Sequence, residues 1–393
     1  MRNVCIVSEC QQIPGVGGTE TVSYILKEEL KKNGYNVWSC YLIPKATPTD
    51  TDIQIPQMYN VYSHENITAL IDTITKKQIE TILIQGAPIK GLLELCIEAK
   101  KVTGVKLVYA YHFNPFMNIK EYDDYKERLL YKKSPIVRPF YSLYCELKRG
   151  AFTREALASI KNSFLKYDIE NIDAFVSLNK EFTKFFQALY PQQFKERFNT
   201  IENPIVIDND NDSYTNNKEN IILFVGRLTY QKRLDRLLSI WKHLQWEFTD
   251  WKVVVVGNGT YAENYKKIVI KQQLLNVEFV GQVPSEKYFK KSKIFCLTSS
   301  HESFGMVLVE AQKYGCVPIA YNSFEAATEI IEDGHNGLLI TPFKEKEYAK
   351  ALRTLIINEE KRKFLVANGK KFISKFDSKK IIKEWIKLFD KIQ

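Results

Sequence analysis

Glu302 and Glu310 bracket the run Glu302-Ser-Phe-Gly-Met-Val-Leu-Val-Glu310. The spacing sets one carboxylate at a turn and the other inside the helix that follows. The apolar stretch Ile294 to Leu297 reads as a buried strand, and Val307, Leu308, Ala311 and Tyr314 recur at helical spacing. Ser303, Phe304 and Gly305 therefore form the strand-to-helix loop, and Met306 opens the helix. The free N–H groups and positive dipole end of such a helix make an anion site, with Glu310 about one and a half turns further on at the edge of the apolar stripe. Taken alone, Glu302 would be a helix cap and Glu310 a solvated helix residue. Arg227 and Lys232 change that balance. In Phe224-Val-Gly-Arg-Leu-Thr-Tyr-Gln-Lys232 a strand ends at Gly226, and two cations project from the loop and from the start of the next helix. Strand-end loops of open α/β sheets are where ligands bind. Two cations there suit a diphosphate, whose developing charge as a leaving group needs neutralising.

Near the N-terminus, Gly15-Val-Gly-Gly-Thr19 follows the first apolar strand and opens a helix, so its glycines, Gly17 and Gly18 among them, suit a close approach to phosphate or simply a tight turn. A nicotinamide-dependent dehydrogenase would need G-x-G-x-x-G and an acid at the end of the second strand. The spacing differs, and that strand, Asn-Val-Trp-Ser-Cys-Tyr-Leu42, carries no acid. His112 ends another apolar strand, Lys106 to Tyr111, as either a satisfied structural histidine or a substrate contact. Gly257, Gly259 and Gly281 also end strands, and each is a loop glycine or a direct contact to a ligand.

The order and spacing of these motifs resemble glycosyltransferase family 4, retaining enzymes of the GT-B fold. The matching elements are Gly17-Gly18, His112, Phe-Val-Gly-Arg-Leu with Lys232, Gly257-Asn-Gly259, Phe279-Val-Gly281, the Glu302/Glu310 pair and Asp333-Gly-His-Asn-Gly-Leu-Leu. They run through almost the whole chain, and the second half matches better than the first. The resemblance implies two Rossmann-like, doubly wound domains facing a central cleft, with a nucleotide sugar, expected to be a UDP-sugar, as donor. It implies that Arg227 and Lys232 hold the diphosphate, that Glu310 hydrogen-bonds the ribose and that Glu302 faces the sugar. The Gly17-Gly18 loop closes over the donor, and His112 lies near the transferred sugar as a positioning group or, less favoured, a base. Ser303, Phe304, Gly305 and Met306 complete the donor site, and neither metal nor cofactor is expected, because cations already occupy the phosphate position.

A chain of 393 residues, 45% hydrophobic and 26% charged, has material for two packed domains. Its seven cysteines show no C-x-x-C pair or metal spacing and read as reduced core residues of a cytosolic protein. Charged Glu9 interrupts the first apolar run, which is too short for a signal peptide, and no stretch approaches the roughly 20 apolar residues of a membrane span. Any membrane contact is expected to be peripheral. The net charge of +10 favours an anionic partner.

Strand and helix patterns alternate twice, which implies parallel, doubly wound sheets. The first series has strands at Val4 to Val7, Val37 to Leu42, Thr81 to Ile84 and Lys106 to Tyr111. The second has them at Ile221 to Val225, Lys252 to Val256, Val277 to Val280, Lys293 to Leu297, Val317 to Ala320 and Leu338 to Ile340. The expected domains are 1–204 and 219–375, joined by a polar linker at 205–218. A final helix at 376–393 is amphipathic by its spacing; by the resemblance it crosses back onto the first domain.

The segment 126–154, placed in the first domain, breaks the alternation. It carries eight Lys or Arg against two acids, with Tyr131, Phe140, Tyr141, Tyr144 and Phe152 interleaved. Such a segment is either a solvated helical surface or a basic, aromatic surface for an anionic membrane or a lipid-linked acceptor. Nucleic acid is not expected, since no recognised binding motif accompanies it. The leading expectation is a retaining glycosyltransferase that builds a surface polysaccharide or glycoconjugate at the inner face of a membrane. The alternatives are a soluble glucan or small-molecule acceptor on the same fold, and a non-catalytic nucleotide-sugar-binding protein.

Overall fold

The computed structural model describes residues 2–393 apart from 16, 87–90, 118, 120, 121, 123–125, 127–133, 135, 136, 164–168 and 208–217. Residues 208–217 of the expected linker lie outside the described residues, as do Arg128, Tyr131, Lys132 and Lys133 of the basic segment.

The described chain forms two compact units, one of residues 1–115, 155–206 and 376–393 and the other of 116–154 and 207–375. The segment 126–154 thus groups with the second unit and not with the first domain, where its sequence position had put it. Between residues 112 and 173 no described strand holds the chain in the first sheet.

The first unit is built on β1 (Asn3–Cys10), β2 (Asn36–Ile43), β3 (Asp52–Gln54), β4 (Thr81–Gly86), β5 (Lys106–Tyr111), β6 (Ala174–Ser177) and β7 (Phe198–Thr200). They pair in the order β3-β2-β1-β4-β5-β6-β7, and every pairing is parallel. Such strands are covered on both faces, so they read as unbroken apolar runs rather than alternations; Thr81 to Gly86 is buried at all six positions. The helix Ser378–Ile392 packs against the helix Gly18–Lys32 of the same unit. Its apolar face buries Ile381, Ile382, Trp385 and Phe389, with the Phe389 ring 6.2 Å from that of Tyr35.

The second unit is built on β8 (Glu219–Val225), β9 (Lys252–Val256), β10 (Val277–Gly281), β11 (Ser292–Leu297), β12 (Val317–Tyr321) and β13 (Leu338–Ile340), in the order β10-β9-β8-β11-β12-β13, again all parallel. One face of this sheet, with Ile222, Phe224, Val253, Val255, Ile294 and Cys296, packs with Leu237, Leu238, Trp241, Tyr348 and Leu352 of the covering helices in a single core. Each fully buried Leu or Phe there contributes roughly 1.5–3 kcal/mol.

In both sheets the strand order reverses beside the first strand, between β1 and β4 and between β8 and β11. The loops leaving the two neighbouring strands then turn to opposite faces, which opens a crevice at the carboxyl edge.

Candidate functional site

The loops after β8 and β11 form the switch point of the second sheet, and they carry Arg227, Lys232 and Glu302. Backbone and side-chain bonds lash the two loops together. Ser300 N–H donates to the Gln231 carbonyl at 2.9 Å, Gln231 Nε2 to the His301 carbonyl at 2.8 Å, and Thr298 Oγ1 to the Arg233 carbonyl at 2.9 Å. Lys232 does not sit at the start of the next α-helix, as its sequence position suggested. It closes the 3₁₀ turn Tyr230–Lys232, and Arg233, at φ 50°, separates that turn from the helix Leu234–Lys242. This break turns Lys232 toward the neighbouring loop.

Lys232 Nζ donates to both oxygens of Glu302, at 2.6 and 2.9 Å, and both side chains are largely buried. Ser299 Oγ donates to Glu302 Oε1 at 2.6 Å. Glu302 is therefore held by a cation and a hydroxyl, and it is not a helix cap: the helix Met306–Lys313 begins at Gly305 with no side-chain cap bond. The unfilled first turn retains its anion-binding N–H groups. Gly305 has φ +92°, and a Cβ there would stand 3.1 Å from the Phe324 ring. Ser303 and Met306 are half-buried and Phe304 is buried, around this turn. Arg227 is exposed, and no ion pair engages it among the described residues.

Glu310 lies on the same helix, half-buried. Burial pushes its carboxyl up to about 7, and Lys313 only partly offsets this. The Asp333-Gly-His-Asn-Gly motif acts as scaffold for that helix: buried Asn336 donates to Gln312 Oε1 at 3.0 Å and Asp333 accepts from Leu339 N–H at 2.9 Å.

Gly257 has φ +136°, and a Cβ on it would fall 1.9 Å from the Gly226 carbonyl oxygen. At Gly259 the Leu228 carbonyl oxygen would be 2.6 Å away. Packing of the β8 loop on the β9 loop thus accounts for both glycines without a ligand. Gly281 ends β10, and its carbonyl accepts from Gly257 N–H at 2.8 Å.

In the first unit, His112 follows β5 and is buried, paired through Nε2 with Gln85 Oε1 on β4. Burial lowers its pKa to about 4, so the ring is neutral near pH 7. In the same unit, buried Gln85 Nε2 and Gln12 Oε1 have no hydrogen-bond partner among the described residues. Gly17 precedes and Gly18 opens the helix Gly18–Lys32. Among the described residues, no three His, Cys, Asp or Glu converge as a metal site.

Sequence reasoning named Lys232 and Glu302 separately and missed both their ion pair and Ser299. A serine within Thr298-Ser299-Ser300 carries no distinguishing signal until β8 and β11 are known to be neighbours.

Residues 206–372 match the glycosyl transferases group 1 family, so the second unit carries a glycosyl transferases group 1 domain. The chain is 31% identical over 211 residues to an alpha-1,4-N-acetyl-D-galactosaminyltransferase of Campylobacter jejuni named for a PP-undecaprenol-linked glycan, covering 52% of this chain and 58% of the relative. It is 34% identical over 172 residues to the amylovoran biosynthesis glycosyltransferase AmsD of Erwinia amylovora, covering 43% of this chain and 47% of the relative. The chain thus spans about half the length of these two relatives. An uncharacterised glycosyltransferase of Haemophilus influenzae is 27% identical over 95% of this chain and 96% of its own length. Among solved structures, Anabaena HepE in complex with UDP and glucose superposes with a TM-score of 0.71 at 16% identity over the whole of both chains. The lipopolysaccharide outer core galactosyltransferase WaaB gives 0.67 at 16% identity, again over both whole chains. The two parallel α/β units are the GT-B fold.

Proposed function

We propose that the chain is a glycosyltransferase that moves a sugar from a nucleotide diphosphate donor, a UDP-sugar by preference, to a hydroxyl of a glycan or lipid-linked acceptor in polysaccharide or glycoconjugate synthesis. The observation that carries this reading is the Lys232–Glu302–Ser299 cluster at the switch point of the second sheet, with Arg227 and an uncapped helix N-terminus beside it. In this reading, the bond from the anomeric carbon to the diphosphate breaks, and Arg227 and Lys232 take up the charge that grows on the leaving oxygens. Lys232 exchanges Glu302 for phosphate as the donor enters. The released carboxylate then orients a sugar hydroxyl or faces the positive charge at the anomeric carbon. A phosphate oxygen of the leaving group accepts the acceptor's proton, so the new bond forms with retention. Glu310 accepts from the ribose hydroxyls. No step calls for a metal.

Support for the donor and acceptor classes comes from relatives: HepE was solved with UDP and glucose, and the Campylobacter enzyme is named for a PP-undecaprenol-linked glycan. Seven free cysteines, six of them buried, suit a reducing cytosolic compartment. The test is nucleoside diphosphate release across a panel of nucleotide sugars with a polyprenyl-diphosphate glycan or a soluble glucan as acceptor, followed by the anomeric configuration of the product. Release from no donor removes catalysis, an inverted product removes retention, and turnover on the soluble glucan alone reassigns the acceptor.

A further inference from the structure

At the carboxyl edge of the first sheet, β1, β4 and β5 lead into side chains that are polar and yet buried. Ser8, Gln12, Gln85 and His112 are 5, 5, 2 and 7% exposed. The parallel register sets Gln85 beside Ser8 on one side and Ala110 on the other. His112 lies two residues past Ala110 and prolongs the ladder, its N–H donating to the Gly86 carbonyl at 3.4 Å. Side chains two apart on a strand share a face, so His112 is a diagonal neighbour of Gln85, reached across the small Ala110.

Each amide in this row is half satisfied. Gln12 Nε2 donates to Ser8 Oγ, and that hydroxyl donates onward to the Cys10 carbonyl at 2.7 Å. Gln85 turns the other way and sets Oε1 against His112 Nε2, while its own Nε2 has no partner among the described residues. An amide oxygen only accepts, so the ring nitrogen facing it carries the proton. A neutral imidazole has one N–H, which leaves Nδ1 with a bare lone pair. Burial holds the ring in that neutral state near pH 7. The neighbours on the three strands add no charge there: Ser8 and Gln85 are neutral, and burial pushes the Tyr111 hydroxyl up to about 12. A carboxylate at position 85 would instead favour the imidazolium, as a nearby opposite charge does, and would equip His112 to hold a proton. The amide orients the ring without charging it. A buried N–H2 without a partner is costly, and an apolar side chain would fill this strand position without that cost. The bond from the ring to the amide oxygen is what accounts for a glutamine here.

We propose that Gln85 is a positioning residue that fixes His112 as its Nε2–H tautomer and so makes Nδ1 an acceptor for a substrate hydroxyl rather than a base. The acceptor role rests on the glycosyltransferase reading. The tautomer does not, and it is measured without turnover, so the two fail separately.

The experiment uses the full-length chain labelled with nitrogen-15 at its five histidines, and the His112 signals are identified by their loss in a His112→Gln variant. Two-bond proton–nitrogen spectra of the ligand-free wild type near pH 7 are expected to show a protonated Nε2 and a bare Nδ1. A proton on Nδ1 would mean that the amide points the other way, and shifts averaged between the tautomers would mean that Gln85 fixes neither; each result overturns the proposal. Gln85→Glu, checked for folding by circular dichroism, tests the consequence. As pH falls, the introduced carboxyl and the ring together take up a proton that wild type does not. Nδ1 is then protonated in either arrangement, as imidazolium or as a neutral ring whose Nε2 accepts from the carboxylic acid. In this variant kcat/KM is expected to fall about tenfold or more between about pH 8 and about pH 6, while wild type stays within about twofold. A variant that keeps the wild-type pH profile overturns the acceptor role. Activity lowered by one factor at every pH does the same and leaves Gln85 a structural residue. The wild-type spectrum decides the tautomer even where the variant does not fold.

Discussion

Ser299 does no bond chemistry in the proposed reaction, yet it fixes one oxygen of the carboxylate that faces the reacting sugar. A hydrogen bond to a charged group is worth about 1.5–3 kcal/mol. Ser299→Ala should therefore lower kcat by roughly tenfold or more, while Ser299→Thr restores part of it and the nucleoside diphosphate Kd stays within about twofold. A Kd that rises in step with the fall in kcat would make Ser299 merely structural. The Lys232–Glu302 pair makes a stability prediction too. Removing one partner leaves the other buried and unopposed. Lys232→Met should thus cost stability that the double variant Lys232→Met, Glu302→Gln recovers by about 1–3 kcal/mol, read as the shift in denaturant midpoint. Glu310 gives a pH signature. Its folded pKa, about 7, stands above the ordinary value of 4.5, so the folded state holds its proton more tightly than the unfolded state does. Its contribution to stability therefore falls as pH rises from 4.5 through 7. Glu310→Gln should remove that slope in the ligand-free protein, and an unchanged slope would place the titration elsewhere. In the sequence, Lys232 and Glu302 were legible because their types imply phosphate and sugar chemistry. Their pairing was not, since 70 residues separate them and only the β8–β11 adjacency brings them together.

At the scale of elements, the β8 loop that carries Arg227 and Lys232 is braced by the β9 loop, and Gly257 is where they touch. Gly257→Ala would add a Cβ almost on top of the Gly226 carbonyl at a left-handed φ. It should destabilise the second unit by roughly 2–5 kcal/mol, seen as a lower denaturant midpoint, and should reduce turnover by shifting Lys232. A neutral effect would mean that the loop packing is not what holds the site. The longer strands were readable from sequence because burial on both faces leaves unbroken apolar runs; Lys252 to Val256 and Lys106 to Tyr111 have the bounds their composition implies. β3, β6 and β7 were not. Asp52–Gln54 and Phe198–Thr200 are three residues each, and Ala174–Ser177 is four. Segments that short carry too few apolar positions to stand out, and it is the neighbouring strand that makes them strands. The 3₁₀ turn at Tyr230–Lys232 was hidden for a similar reason: helical spacing begins before Arg233, whose left-handed backbone breaks it.

For the whole molecule, the division of labour between strong and weak signals follows the chain. In the second unit, the strands β8, β9, β10 and β11 were readable, each from an apolar run followed by a loop motif. The placement of 116–154 was not, because it depends on packing that no local pattern encodes. The account rests on one claim above the others, that the switch point of the second sheet neutralises a departing diphosphate. The most direct measurement is the rate of nucleoside diphosphate release from the best donor of the panel, compared between wild type and Lys232→Ala under saturating donor, with folding checked by circular dichroism. Loss of a preorganised contact to the leaving group should cost about 100-fold or more in kcat while the fold persists. A folded Lys232→Ala protein that turns over at the wild-type rate would contradict the account and remove this site from the reaction.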